Sequence, residues 1–256
     1  MTAAPERAIR VVVLYPEVMD VYADRGNLLA VQARCRALGV GCEVIEVGLG
    51  DALPEAADLV LIGGGQDREQ RRIAPDLAAK GEALRAWADA DTPMLAVCGG
   101  FQLFGTFYRT GAGEELPGVG LFDVITVAPP PGAPRCIGDV LADAAVEGLG
   151  ELVGFENHGG RTYLGPAAQP LARVRHGFGN NGDDHTEGAV YREAIGTYLH
   201  GSVLPKNPAL TDRLIRAALR HRYGDAGDLA APADAYALRA HAAAAEVARR
   251  RGRANG

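Results

Sequence analysis

The chain has 256 residues, 48% of them apolar and 6% aromatic, with a formal charge of -6 at neutral pH; this suffices for one sizeable core, and α/β domains of such length are often undivided. The acidic balance, with no Lys/Arg block or aromatic-interleaved basic patch in the body of the chain, offers no field for phosphate backbones, so nucleic acid is not an expected partner. The N-terminal apolar run is too short for a signal peptide, and no window reaches the roughly 18 apolar residues of a membrane span, so a cytoplasmic protein that is not membrane-embedded is expected.

In chain order, Ile9 to Leu14, Cys42 to Val47, Leu59 to Ile62 and Met94 to Val97 are short continuous apolar runs. This is the pattern of parallel strands covered on both faces. Helical patterns lie between them: one over 27–38, opening on the capping residue type Asn27 and stopping at Gly39, and one over the charged, Ala/Leu-rich stretch 68–88. The alternation predicts an α/β fold, a mostly parallel doubly wound sheet with helices on both faces. From Val119 onward the strand-like runs are shorter and irregular, interrupted by the Pro-rich loop APPPGAPR, so antiparallel strands are expected in the second half. A helix over 208–224 closes a single domain spanning 1–224. The Ala/Arg-rich remainder, 225–256, reads as a loosely docked or frayed helical tail.

Cys35, Cys42, Cys98 and Cys136 are unevenly spaced with no C-x-x-C pair, which suggests neither a zinc site nor a disulfide framework. Cys98 stands apart from the others. In AVCGG it falls where a buried strand ends and a helix begins, with Ala96 two positions before it and Gly100 two after. Small flanking residues are what a sharp nucleophile elbow requires, because the turn crowds its neighbours. Backbone N–H groups at such a turn favour a thiolate and can receive an oxyanion. Gly99 is one candidate donor, and the glycine-rich strand end Gly63 to Gly65 offers others, Gly64 and Gly65, since parallel sheets open their sites at the carboxyl ends of strands. A buried, inert thiol is the alternative for any lone cysteine.

A thiolate that attacks a carboxamide needs a proton donor for the departing amine, and histidine is the first partner to seek. His200 ends the strand-like run AIGTYLH, and His158 in FENHGG also ends an apolar run. His176, His185, His221 and His241 lie in polar loops or on charged helical surfaces.

A cysteine in VCGGFQ and a later histidine in YLHG resemble a class I glutamine amidotransferase domain. Within that class, LYPEVMDVYADRGN, GGGQDREQ, PRCIGD, GFENHGGRT and the Asn/Gly-rich stretch before GTYLHG resemble the GatD family, the glutaminase subunits of lipid II isoglutaminyl synthase. The similarity spans nearly the whole chain up to Tyr223. It implies a flavodoxin-like fold and free L-glutamine as substrate, with Cys98 as nucleophile and His200 as general base and acid. It further implies that Gln102 helps to hold the amino-acid end of the substrate and that Arg135 clamps its α-carboxylate, a sensible task for a guanidinium. Glu156, Asn157 and His158 are expected to support the pocket wall by hydrogen bonds.

No cofactor or metal is expected in this chain. It has no G-x-x-x-x-G-K-[ST] phosphate loop, so ATP and Mg are expected on a partner, by resemblance a MurT-like synthetase forming a heterodimer that amidates D-glutamate to D-isoglutamine in the lipid-linked stem peptide for peptidoglycan synthesis. The alternatives are a glutaminase serving a synthetase of the cobyric acid type, which usually carries its ATP-binding part fused upstream, and an inactive regulatory or binding subunit on the same fold. One departure keeps the last alternative open. Many class I amidotransferases carry glutamate two residues after the histidine, and here that position is Ser202. Serine cannot supply the charge that stabilises an imidazolium, so a partner carboxylate, or an in-chain acid such as Glu156 or Asp139, is expected in its place.

Overall fold

A computed structural model describes residues 6–21, 24–227, 229 and 234–254. The first half of the chain contains β1 (Ala8–Leu14), α1 (Arg25–Ala37), β2 (Gly41–Val47), β3 (Leu59–Ile62), α2 (Asp67–Ala79), α3 (Gly81–Asp89), β4 (Met94–Val97), α4 (Gly99–Phe104), β5 (Phe107–Arg109), β6 (Glu115–Pro117) and β7 (Val124–Val127). There follow β8 (Cys136–Ala144), β9 (Glu151–His158), β10 (Arg161–Leu164), β11 (Ala172–His176), β12 (Thr186–Glu187), β13 (Ala189–Tyr191), β14 (Ala194–Thr197), α5 (Val203–Lys206), α6 (Pro208–Tyr223) and α7 (Ala235–Ala254).

The central sheet has the order β13-β14-β4-β3-β1-β2. Only its edge strand β13 runs antiparallel to its neighbour. Every residue of β3 and β4 is buried, which is why their sequences read as unbroken apolar runs rather than alternating ones. Two four-stranded sheets, β10-β7-β5-β6 and β12-β11-β8-β9, supply the irregular second half. All their pairings are antiparallel except that of β5 with β7.

Two helices differ from the sequence expectation. Helix α1 opens after Asp24, and Asn27 sits inside it, buried, with its side-chain oxygen accepting the Leu204 N–H at 3.0 Å. The single helix expected over 68–88 is two, α2 and α3, meeting at Lys80. Pro75 removes one interior donor and Gly81 has low helix propensity, so the long helix is locally disfavoured.

The topology gathers three strand ends. β3 runs into Gly63, β4 into Cys98 and β14 into Tyr198 to His200, while β9 crosses the end of β14 through an antiparallel bridge between Phe155 and His200. That bridge brings the last residues of β9, Asn157 and His158, over the carboxyl edge of the central sheet. Helix α7 packs Ala245 and Ala248 against Leu141 and Val153 of β8 and β9. Its small side chains allow close approach, and Arg249 to Glu151 (2.9 Å) and Arg251 to Asp139 (2.6 Å) fasten it. Among the described residues no helix is long and apolar enough to cross a membrane.

Candidate active site

Cys98 adopts φ 50°, ψ -106°, a conformation costly for a residue with a side chain. Its surroundings enforce it. The Cys98 N–H donates to Thr197 O at 2.8 Å, the Cys98 carbonyl accepts from Gln102 N at 2.9 Å, and Gly100 N donates to Gly63 O at 3.1 Å. Gly99 must be glycine here, since a Cβ would lie 2.7 Å from Gly65 N and 2.8 Å from Gly65 O. The elbow and the glycine loop are thus pressed together backbone to backbone.

Three functional groups converge on Gly64. A Cβ placed there would lie 3.2 Å from Asp24 Oδ2, 3.3 Å from Cys98 Cβ and 3.3 Å from His200 Cε1. The thiol and imidazole singled out from sequence are therefore neighbours, and Asp24 joins them. Its role was not legible in sequence, where an aspartate ahead of a helix reads as a cap; in the structure Asp24 stands at the N-cap of α1 but its carboxylate does not cap the helix. Asp24 Oδ2 instead accepts the Gly64 N–H at 2.7 Å. This corrects the expectation that Gly64 donates to an oxyanion, because its amide is already committed. The Gly65 backbone packs against Gly99, and the Gly99 N–H favours the thiolate form of Cys98.

The charge states oppose a resting ion pair. Burial first, then the Asp24 charge, push the Cys98 thiol up to about 12, against the Gly99 amide and Arg135. Burial first, then His158, Arg135 and Lys206, push His200 down to about 3. At neutral pH the pair is a thiol and a neutral imidazole. The two acids suggested as substitutes for the missing glutamate are engaged elsewhere: Glu156 accepts from Phe178 N (2.6 Å) and Gly179 N (2.8 Å), and Asp139 pairs with Arg251. Glu187, which sequence reasoning also missed, is fully buried and accepts from Thr197 Oγ1 and from Tyr198 N at 3.0 Å. It fixes the strand end that leads to His200.

Beside Cys98 lies a cavity of about 650 Å³, lined by Gly65, Gln70, Gln102, Arg135, Asn157 and His158 among others. Arg135 is exposed at the rim, and Nε and Nη2 donate to Asn157 Oδ1 at 3.1 and 3.0 Å, which aims the guanidinium. Gln102 is buried, its amide joined to Gln70 Nε2 at 2.8 Å and to Tyr198 OH at 3.1 Å. Its hydrogen bonds build the wall between the glycine loop and β14, while the residue still lines the cavity. His158 likewise forms wall: Nδ1 lies 2.8 Å from Gly160 O, and the ring stacks on Tyr198 at 3.7 Å. Among the described residues no group of three or more His, Cys, Asp or Glu side chains is placed to hold a metal ion.

Residues 10–208 match the CobB/CobQ-like glutamine amidotransferase domain. The chain belongs to that family. It is 36% identical over 205 residues to the GatD subunit of lipid II isoglutaminyl synthase (glutamine-hydrolyzing) from Staphylococcus aureus, an alignment covering 80% of this chain and 82% of the relative. Identity to the subunit of the same name from Streptococcus pneumoniae is 39% over 222 residues, covering 86% and 83%. Among solved structures, PurLQS from Thermotoga maritima has a TM-score of 0.59 at 16% identity over 84% of this chain and 99% of that one, a likeness of fold. The amidotransferase fold accounts for the parallel core and places the described cysteine and histidine at its carboxyl edge. The two sheets that follow wall the cavity of this amidotransferase domain.

Proposed function

We propose that this amidotransferase hydrolyses free glutamine and supplies the ammonia to a separate ATP-dependent, MurT-like synthetase, the two forming a lipid II isoglutaminyl synthase that amidates D-glutamate in the stem peptide. The convergence of Cys98 and His200 on the glycine loop, with Cys98 lining the same cavity as Arg135, is the observation that carries the reading. The names borne by the two bacterial relatives support the pathway. Cys98 Sγ attacks the side-chain amide carbon while its proton passes to the His200 imidazole, and the oxyanion is received by the Gly65 and Gly99 N–H groups. His200 returns the proton to the departing nitrogen, which leaves as ammonia. The imidazole then takes a proton from water, hydroxide adds to the thioester carbon, and collapse releases glutamate and the thiolate, which recovers its proton.

The test is an assay of the chain with its co-expressed synthetase, ATP, Mg and lipid II, using glutamine labelled with ¹⁵N in the side-chain amide. The expected result is ¹⁵N in the new carboxamide of lipid II and stoichiometric glutamate. Glutamate release with no transfer to lipid II would retain the glutaminase and discard the acceptor; no release in any combination would discard both.

Arg135→Ala is expected to raise KM for glutamine about tenfold or more, since hydrogen bonds to charged groups contribute roughly 1.5–3 kcal/mol, with kcat little changed because the α-carboxylate is bound alike in ground and transition states. Steady-state kinetics check this, and an unchanged KM would return Arg135 to a surface role.

A further inference from the structure

Asp24 is an unexpected occupant of this site. It is 6% exposed, its Oδ1 is buried and accepts no hydrogen bond from the described residues, and its negative charge disfavours the Cys98 thiolate. A buried carboxylate beside a nucleophile that must become an anion opposes the chemistry, unless it serves another purpose.

That purpose is visible in the hydrogen bonds of the glycine loop. Gly63 O accepts from Gly100 N at 3.1 Å, Gly64 O accepts from Val21 N at 3.1 Å, and Gly65 O accepts from Gln70 Nε2 at 3.0 Å. Asp24 Oδ2 takes the Gly64 N–H at 2.7 Å. The segment between β1 and α1 therefore grips Gly64 from both sides, its carbonyl through Val21 and its amide through Asp24. Three consecutive glycines have more rotational freedom than any other tripeptide, so without these bonds the loop could turn any of its amides toward the nucleophile. With Gly64 held, the next amide, Gly65 N–H, is the one that packs against Gly99.

We propose that Asp24 is a positioning residue that holds the Gly64 peptide and so selects Gly65 N–H, together with Gly99 N–H, as the oxyanion donors. The inference rests on the glutaminase reading above. Burial pushes the Asp24 carboxyl up to about 7, against the Gly64 amide, which lessens its charge beside Cys98 while leaving Oδ2 as an acceptor.

Asp24→Asn keeps a carbonyl acceptor of the same shape and Asp24→Ala removes it. In the alanine chain kcat for glutamine hydrolysis is expected to fall about 100-fold, the usual cost of losing one preorganised oxyanion donor, with KM within about threefold of the parent. The asparagine chain is expected to keep kcat within about tenfold of the parent, well above the alanine chain. Hydrogen exchange of the Gly64 amide, followed by NMR, is expected to accelerate in the alanine chain and stay slow in the asparagine chain. Unchanged kcat or unchanged Gly64 exchange in a folded Asp24→Ala chain overturns the proposal, as does an equal loss in both variants, which would make the charge the active feature. Should the alanine chain fail to fold, the asparagine chain decides, a loss near 100-fold counting against. If the parent hydrolyses no glutamine alone or with its synthetase, the glutaminase reading has failed, while Gly64 exchange still reports on the positioning.

Discussion

Cys98→Ala is expected to lower glutamine hydrolysis by about four orders of magnitude or more, and His200→Ala by a similar factor, because a nucleophile and its base act as one unit. The fold should survive the first change. Alanine occupies less volume in a buried position, and the strained φ of 50° is imposed by the Thr197, Gln102 and Gly63 backbone bonds rather than by the thiol. A diazoketone analogue of glutamine should label Cys98 and spare the other three thiols. Cys35 is fully buried and pushed well up, first by its hydrogen bond to Cys42 and then by burial. Of the four thiols only Cys98 lines the cavity where the analogue must dock. Cys136, buried and 2.6 Å from Arg161 Nη1, does not, nor does the half-buried Cys42, which its hydrogen bond to Cys35 pushes down. Unaltered circular dichroism alongside lost turnover in the alanine chain confirms the assignment. Substantial residual activity, or labelling mapped to another thiol, would sink it. His158→Ala should be milder, since that ring contributes a stacking face to Tyr198 and one bond to Gly160.

What the sequence disclosed and what it hid divide along physical lines. β3 and β4 were legible to the residue because four consecutive buried positions leave an unbroken apolar run. The Cys98 elbow was legible because its steric demands fall on positions within two residues of it. Asp24 was not, for its bond to Gly64 joins residues 40 apart in sequence, and nothing local distinguishes a carboxylate that caps its own helix from one that reaches a different strand. Nor could three identical glycines reveal which amide faces the thiol, since that is a matter of peptide rotation. Glu187 lies ten residues before Thr197, with β13 between them, and reads as an ordinary polar residue until burial is known. The break at Lys80 was missed because amphipathic periodicity continues through it, whereas Pro75 and Gly81 act on backbone terms that periodicity does not measure.

The free chain should be a poor glutaminase that its synthetase awakens, with kcat/KM expected to rise about 100-fold or more on complex formation, the order of effect of restoring a lost triad group. With the thiol held near 12 and the imidazole near 3, moving the proton from Cys98 to His200 is strongly uphill. Burial is the larger cause, and neighbouring groups add to it: His158, Arg135 and Lys206 all disfavour the imidazolium. Lys206 stands close, its Nζ 2.8 Å from where a Cβ on Gly201 would be. Ser202 adds no opposing charge, and Glu156 and Asp139 are held by other partners. A carboxylate from the synthetase docked beside Lys206 would raise the His200 pKa and help keep the thiolate–imidazolium pair together. The sign of the pH dependence follows. In the free chain the thiolate is a minor species throughout the accessible range, so alkylation of Cys98 by iodoacetamide should quicken about tenfold per pH unit from about 6 to 9. In the complex that rise should move to lower pH. Replacing each docked partner carboxylate by its amide identifies the acid as the one whose loss returns the complex to the free chain's rate. A free chain with full activity, unchanged by its partner and alkylated at a pH-independent rate, would show that the pair is already charged and that the missing glutamate needs no replacement.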